Sequence, residues 1–259
     1  MSITMRTYPI LFAALTVIGL GCSNEQPTSN TTTTAAAQPS NKDRQDAISE
    51  LNDATKMLGE LNAQSLVPAS RLESARCAIV APGFVKAAFL VGGRHGNGVV
   101  TCRTSKGWSG PIFINMTGAS GGLQVGVQSA DVLMLVMSER GLDKLFTSGF
   151  KLGGDMSVAA GPVGKEKTAG TDVGTNADVL SYARTKGLFA GVDLGGLSIK
   201  RDDADIAALY GRSADVHAIL DGRIAAPPES HAFIEQVRAV FTVTKPSPAV
   251  AEAQGDNHG

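Results

Sequence analysis

Aromatic residues are scarce in this chain: 5% of 259 residues, with one Trp and three Tyr. A core must therefore be aliphatic, and a hydrophobic content of 43% is enough to build one. Net charge is nearly absent, at −1 overall. Phosphate binding wants a clear basic excess, so nucleic acid is excluded as the main partner. Cysteine occurs three times, at Cys22, Cys77 and Cys102. No two of these lie within metal-ligand spacing and the four histidines are scattered, which argues against a zinc site. No motif implies a cofactor. What the chain does have is glycine, 30 residues of it, interleaved with aliphatic residues. That mixture points to bent or tightly turning strands rather than a helical bundle.

The first 21 residues read as a signal peptide. Arg6 is followed by an apolar run, 9–21, and by small residues directly before Cys22. The run falls short of the ~20 residues that span a bilayer. A Cys directly after the cut resembles the lipobox of bacterial lipoproteins, in which that Cys is acylated and becomes the new N-terminus. Gly19 stands where the box prefers Leu, and Leu20 follows one place later. Ser23 after the Cys favours an outer-membrane address, facing the periplasm. Residues 22–41 are rich in Ser, Thr, Ala, Pro and Gln and bury nothing, so they read as a flexible tether. With Cys22 assigned to lipid, Cys77 and Cys102 remain. In an oxidising envelope they either form a disulfide, closing a loop of about 25 residues, or stay as two buried thiols.

Residues 42–244 read as one folded domain and 245–259 as a disordered tail. Ile48, Leu51, Leu58 and Leu61 share one face of a helix over 43–63. Short strands are expected at 77–81, 84–91, 98–103, 111–116, 123–128 and 132–138. Ser138 resembles the N-cap of a short helix through Phe146. Strands resume near 155–160, 178–184, 188–193 and 196–200, and helices follow at 202–210, 213–221 and 229–241. Strands in the middle with helices at both ends predict an α+β fold. The sheet is expected to be Gly-rich and largely antiparallel, or a partly closed barrel.

Several motifs suggest chemistry and are better read as structure. Gly118-Ala119-Ser120-Gly121-Gly122 matches a nucleophile elbow, which needs a helix after the Ser. An alternating strand follows instead, so no catalytic residue is assigned despite Asp193 and His217 downstream. Gly161-Pro162-Val163-Gly164-Lys165 lacks the spacing of a phosphate loop and reads as a tight turn between strands. Gly93-Arg94-His95-Gly96-Asn97-Gly98 reads as a hairpin, with His95 a solvated turn residue. Asp202-Asp203-Ala204-Asp205 reads as an acidic helix N-terminus. Trp108, near Arg103 and Lys106, fits either a lipid–water interface or a core strand. Arg184 and Lys186 flank Thr185 and could form a small anion-binding patch. The candidate lipid or anion contacts are therefore Lys106, Trp108, Arg184 and Lys186.

An ordered series of segments resembles the SYLF domain family. It runs Lys86-Ala87-Ala88-Phe89, Gly92-Gly93, Gly96-Asn97-Gly98-Val99, Gly107-Trp108-Ser109-Gly110-Pro111 and Gly122-Leu123-Gln124-Val125-Gly126. It continues with Ala160-Gly161-Pro162-Val163-Gly164, Ser181-Tyr182-Ala183-Arg184 and Lys186-Gly187-Leu188-Phe189-Ala190-Gly191. The resemblance covers roughly residues 45–241. It implies a compact, non-catalytic α+β domain that binds membrane lipids, with phosphoinositide preference in animal members and actin binding in yeast ones. In eukaryotic members a basic amphipathic segment at the domain's N-terminus contributes to lipid contact. This chain departs there: Lys42, Arg44 and Lys56 face Asp43, Asp46, Glu50, Asp53 and Glu60. An acidic helix is a poor ligand for an anionic membrane. Actin is absent from a bacterial envelope, so that activity is not carried over. The expected partners are membrane lipids, anionic phospholipid among them, or an envelope protein.

Overall fold

The computed structural model describes residues 40–64, 67–163, 176–185 and 188–242. The segments expected to be signal peptide and disordered tail, Cys22, nearly all of the expected tether and Lys186 lie outside the described residues.

Helix α1 (Asn41–Gln64) opens the domain. It buries Ala47, Leu51, Ala54, Met57, Leu58 and Leu61, a stripe at helical spacing. The short helix α2 (Ala69–Ser74) leads into β1 (Cys77–Thr104). After β2 (Gly107–Trp108) comes β3 (Ile112–Val136). Strands β1 and β3 pair antiparallel from Cys77↔Val136 to Val100↔Ile112, a single long ribbon. The six separate strands expected here are thus two, interrupted by register shifts at Ala81/Phe84 and Ala88/Leu90.

A 28-residue strand has a contour of roughly 90 Å, about three times the diameter of a small domain. The ribbon must curl, and it does so until the two ends of β1 meet. Cys77 and Cys102 form a disulfide there. The Arg103 N–H donates to the Arg76 carbonyl at 2.7 Å. The segment expected to be a hairpin, 93–98, is in fact strand, paired with residues 114–119. Its glycines serve close approach rather than turning. A Cβ at Gly96 would lie 2.6 Å from the Phe84 ring.

Helix α3 (Glu139–Leu145) follows, with Ser138 as its N-cap accepting from the Gly141 N–H. The remaining strands are β4 (Gly149–Lys151), β5 (Val158–Ala160), β6 (Val179–Thr185), β7 (Leu188–Gly191) and β8 (Ser198–Arg201). Strand β6 pairs with the end of β3 (residues 131–136), and β8 pairs with its beginning (residues 114–117). Strands β5 and β7 flank β6, and β4 extends β8. The result is a mixed α+β fold with a curled, half-barrel sheet and helices at both ends. One pairing differs from expectation: β5 runs parallel to β6. Parallel neighbours need a crossover, so β5 and β6 are not joined by a tight turn; of the segment expected to make one, Gly164 and Lys165 lie outside the described residues.

Helices α4 (Asp203–Tyr210), α5 (Val216–Leu220) and α6 (His231–Phe241) close the chain. Asp202 caps α4, accepting from the Ala204 and Asp205 N–H groups. Helix α6 buries Phe233, Ile234, Val237, Val240 and Phe241 and packs on α1.

Candidate functional site

The acidic residues of α1 recur every three or four positions, at Asp43, Asp46, Glu50 and Asp53, and so share one face. That face looks across a cleft of about 600 Å³ at Asp202 and Asp205 of α4's N-terminus, with Pro82, Gly83, Val85 and His95 of β1 as the third wall. Asp43 bonds with Ser40 at the start of α1. Asp46 pairs with Lys42. Asp202 accepts from Asn115 Nδ2 at 2.6 Å.

Glu50 has no such partner. Its Oε1 is buried without a hydrogen bond among the described residues. Burial, then the charges of Asp205, Asp202 and Asp53, push its carboxyl up to about 8. Asp205 is pushed up to about 6, by burial and then by Asp202, Asp46 and Asp43, with Lys42 opposing. Between pH 4.5 and 8 the folded state therefore holds a proton on Glu50 that the unfolded chain has released. Stability falls as pH rises through that window. Glu50→Gln removes the penalty. The variant should unfold like the parent near pH 4 and be more stable by a few kcal/mol at pH 8.5. Urea midpoints at the two pH values measure this, and equal midpoints at pH 8.5 contradict it.

The residues singled out from sequence lie apart from this cleft or at its margin. Trp108 is 7% exposed, edge-on to Phe241 with ring centroids 4.9 Å apart. The Arg103 guanidinium lies 4.7 Å from its ring centre. Trp108 thus sits in the core, one of its two expected places. Arg103 is a clasp. Its Nε donates to the Ala75 carbonyl at 2.8 Å, and its Nη2 to the carbonyls of Leu72 (3.1 Å) and Phe241 (3.2 Å). A cation at the ends of α2 and α6 suits both helix dipoles. Lys106 is exposed in the turn between β1 and β2. Arg184 is held elsewhere, between Glu60 of α1 and Asp131 of β3. Asp131 also accepts from the Gly83 N–H at 3.0 Å. Lys106 stays exposed in its turn while Trp108 is buried, and Arg184 sits in a separate ion-pair cluster.

Ser120 lies within β3, opposite Gly92, with strand on both sides. The strand-to-helix turn of an elbow is not there. Among the described residues, no three His, Cys, Asp or Glu are grouped to hold a metal ion. The acidic balance of α1 is visible in the sequence; the cleft is not. The 3-4-3 spacing of its carboxylates was the available signal. The opposing wall was not legible, because Asp205 is 152 residues away from Asp53 in the chain.

Residues 117–240 match the family model described as Ysc84, Las17-binding protein actin regulator. The match begins within β3 and ends in α6. LAS seventeen-binding protein 3 of Saccharomyces cerevisiae is 36% identical over 193 residues, which are 70% of this chain and 41% of that protein. Protein YSC84 of the same yeast is 38% identical over 148 residues, 56% of this chain and 32% of that protein. The human SH3 domain-containing YSC84-like protein 1 is 28% identical over 187 residues, 71% of this chain and 54% of its own length. The chain thus spans about two fifths or less of these yeast relatives.

Proposed function

Because this chain belongs to the Ysc84, or SYLF, family, we propose that it is a non-catalytic binding domain held at a bacterial envelope by lipid on Cys22. Its tether, residues 22–41, lets the domain touch a membrane surface or a partner near its anchor. A multiply acylated terminus contributes ~0.8 kcal/mol per inserted CH₂, so the domain is not needed for anchoring.

The observation that favours lipid contact is the middle of the β1–β3 ribbon. Residues 118–130 of β3 pair with β1 alone among the described residues. Val127 there is 74% exposed, opposite Ala87. Lys86 is exposed as well, but it stands opposite Gln128 and so on the other face of the ribbon. A large exposed apolar side chain on an otherwise uncovered ribbon suits the headgroup boundary.

The test is co-sedimentation of the Cys22→Ser protein with anionic phosphatidylglycerol vesicles at low and high salt. Weak binding is expected, lost at high salt as screening shortens from ~10 Å at 0.1 M. Val127→Asp should reduce it several-fold, and Lys86→Ala, on the other face of the ribbon, should reduce it less. A loss caused only by Lys106→Ala moves the contact to the β1–β2 turn. No binding under either condition favours the second reading, a protein-interaction module. That reading draws on relatives whose names describe Las17 binding.

A further inference from the structure

Six carboxylates line the cleft between α1, β1 and α4. Among the described residues, Glu50 Oε1 is buried there with no hydrogen-bond partner. Asp205 is 8% exposed and lines the cleft. A buried carboxylate oxygen ordinarily has a donor. Nothing in the protein's described residues supplies one to Glu50 Oε1, so its donor is to be sought outside the chain.

We propose that this cleft binds an extended organic polycation of the polyamine class, whose ammonium groups meet the carboxylates of α1 and Asp205. A single metal ion fits poorly, because no three of these side chains converge on one point. The carboxylates are instead strung out. Asp43, Asp46, Glu50 and Asp53 follow one another at about one helical turn, roughly 5.4 Å. Amines separated by three or four methylenes have a comparable spacing. A volume of about 600 Å³ accommodates such a chain. Pro82 and Val85 offer apolar contact to the methylenes. Each ammonium donates charge-assisted hydrogen bonds, the strong kind, to the carboxylate oxygens.

Proton coupling follows from the same geometry. Glu50, held up at about 8, is largely protonated at pH 7. It faces Asp43, Asp46, Asp53 and Lys42 of α1, His95 of β1, and Asp202 and Asp205 at the start of α4. An arriving ammonium favours the carboxylate, so binding releases a proton from Glu50.

Isothermal titration of the full chain with spermidine at pH 7, in two buffers of different ionisation enthalpy, tests this. Saturable one-to-one binding with proton release is expected. Asp205→Asn should weaken it at least tenfold, and Glu50→Gln should remove most of the proton release. Asp203→Asn, outside the cleft and paired with Arg201, should change neither. Thermal unfolding of each variant confirms that it is folded. Absence of binding overturns the proposal. So does displacement by Mg²⁺ at equal ionic strength, or equal weakening by Asp203→Asn. Binding of an oligolysine peptide without binding of spermidine also overturns it and gives the cleft to a basic protein segment.

Discussion

Gly191→Ala is expected to destabilise the domain by roughly 3–5 kcal/mol, a large share of the ~5–15 kcal/mol that holds a typical domain folded. Gly191 ends β7, opposite Tyr182 of β6. A Cβ there would lie 2.2 Å from the Gly161 carbonyl oxygen and 3.0 Å from its nitrogen. Those are backbone atoms and cannot rotate aside. Nor can Gly161 retreat, since its own Cα faces the Tyr182 ring so closely that a Cβ would sit 2.0 Å from Cζ. Tyr182 is fully buried. Ser181 fastens the neighbouring strands, its Oγ donating to the Val192 carbonyl at 2.6 Å. Gly154→Ala is the control, because its Cβ meets nothing nearer than 3.7 Å, and it should cost under ~1 kcal/mol. Urea unfolding of both variants gives the comparison. Similar midpoints for the two would mean that the β5–β6–β7 corner yields more easily than its packing implies.

Replacing Cys77 and Cys102 together by Ser should cost about 3 kcal/mol and leave the fold intact. The bridge spans a sequence separation of 25. In the unfolded chain it removes the freedom of that loop. In the folded chain the same two ends are also joined by Arg103, through its backbone bond to Arg76 and its side-chain bonds to Ala75, Leu72 and Phe241. The curl should therefore survive without the sulfurs. Urea midpoints with and without reductant measure the loss, alongside thiol counting on denatured, unreduced protein. Two titratable thiols, or a midpoint indifferent to reductant, contradict it.

Helix ends were the most legible part of this fold. Ser138 and Asp202 stand where an N-cap is expected, and both accept the backbone N–H groups that a cap accepts. The α1 stripe was equally plain, because its periodicity is local. Strand lengths were not. Gly92, Gly93, Gly96 and Gly98 look like turn signals, yet they lie in β1. What glycine offers at position 96 is room for Phe84 from an earlier part of the same strand. No spacing rule sees a contact made by a strand folding over itself. The motifs that carried the family resemblance do meet in space: Gly161, Tyr182 and Gly191 form one corner. The site was half legible for a similar reason. The α1 carboxylates form a visible row, whereas the pressure that Asp202 and Asp205 exert on Glu50 exists only after α4 is in place.

The contact between α1 and α6 governs how this protein can be made. Among the described helices, the first in the chain finds a main partner in the last. Until residues 231–241 exist, the stripe of Leu51, Met57, Leu58 and Leu61 lacks part of its cover. A growing chain therefore cannot finish this part of its core until residue 241 has been made. Premature stop codons upstream of Phe233 should for that reason be as damaging as deletions in the sheet.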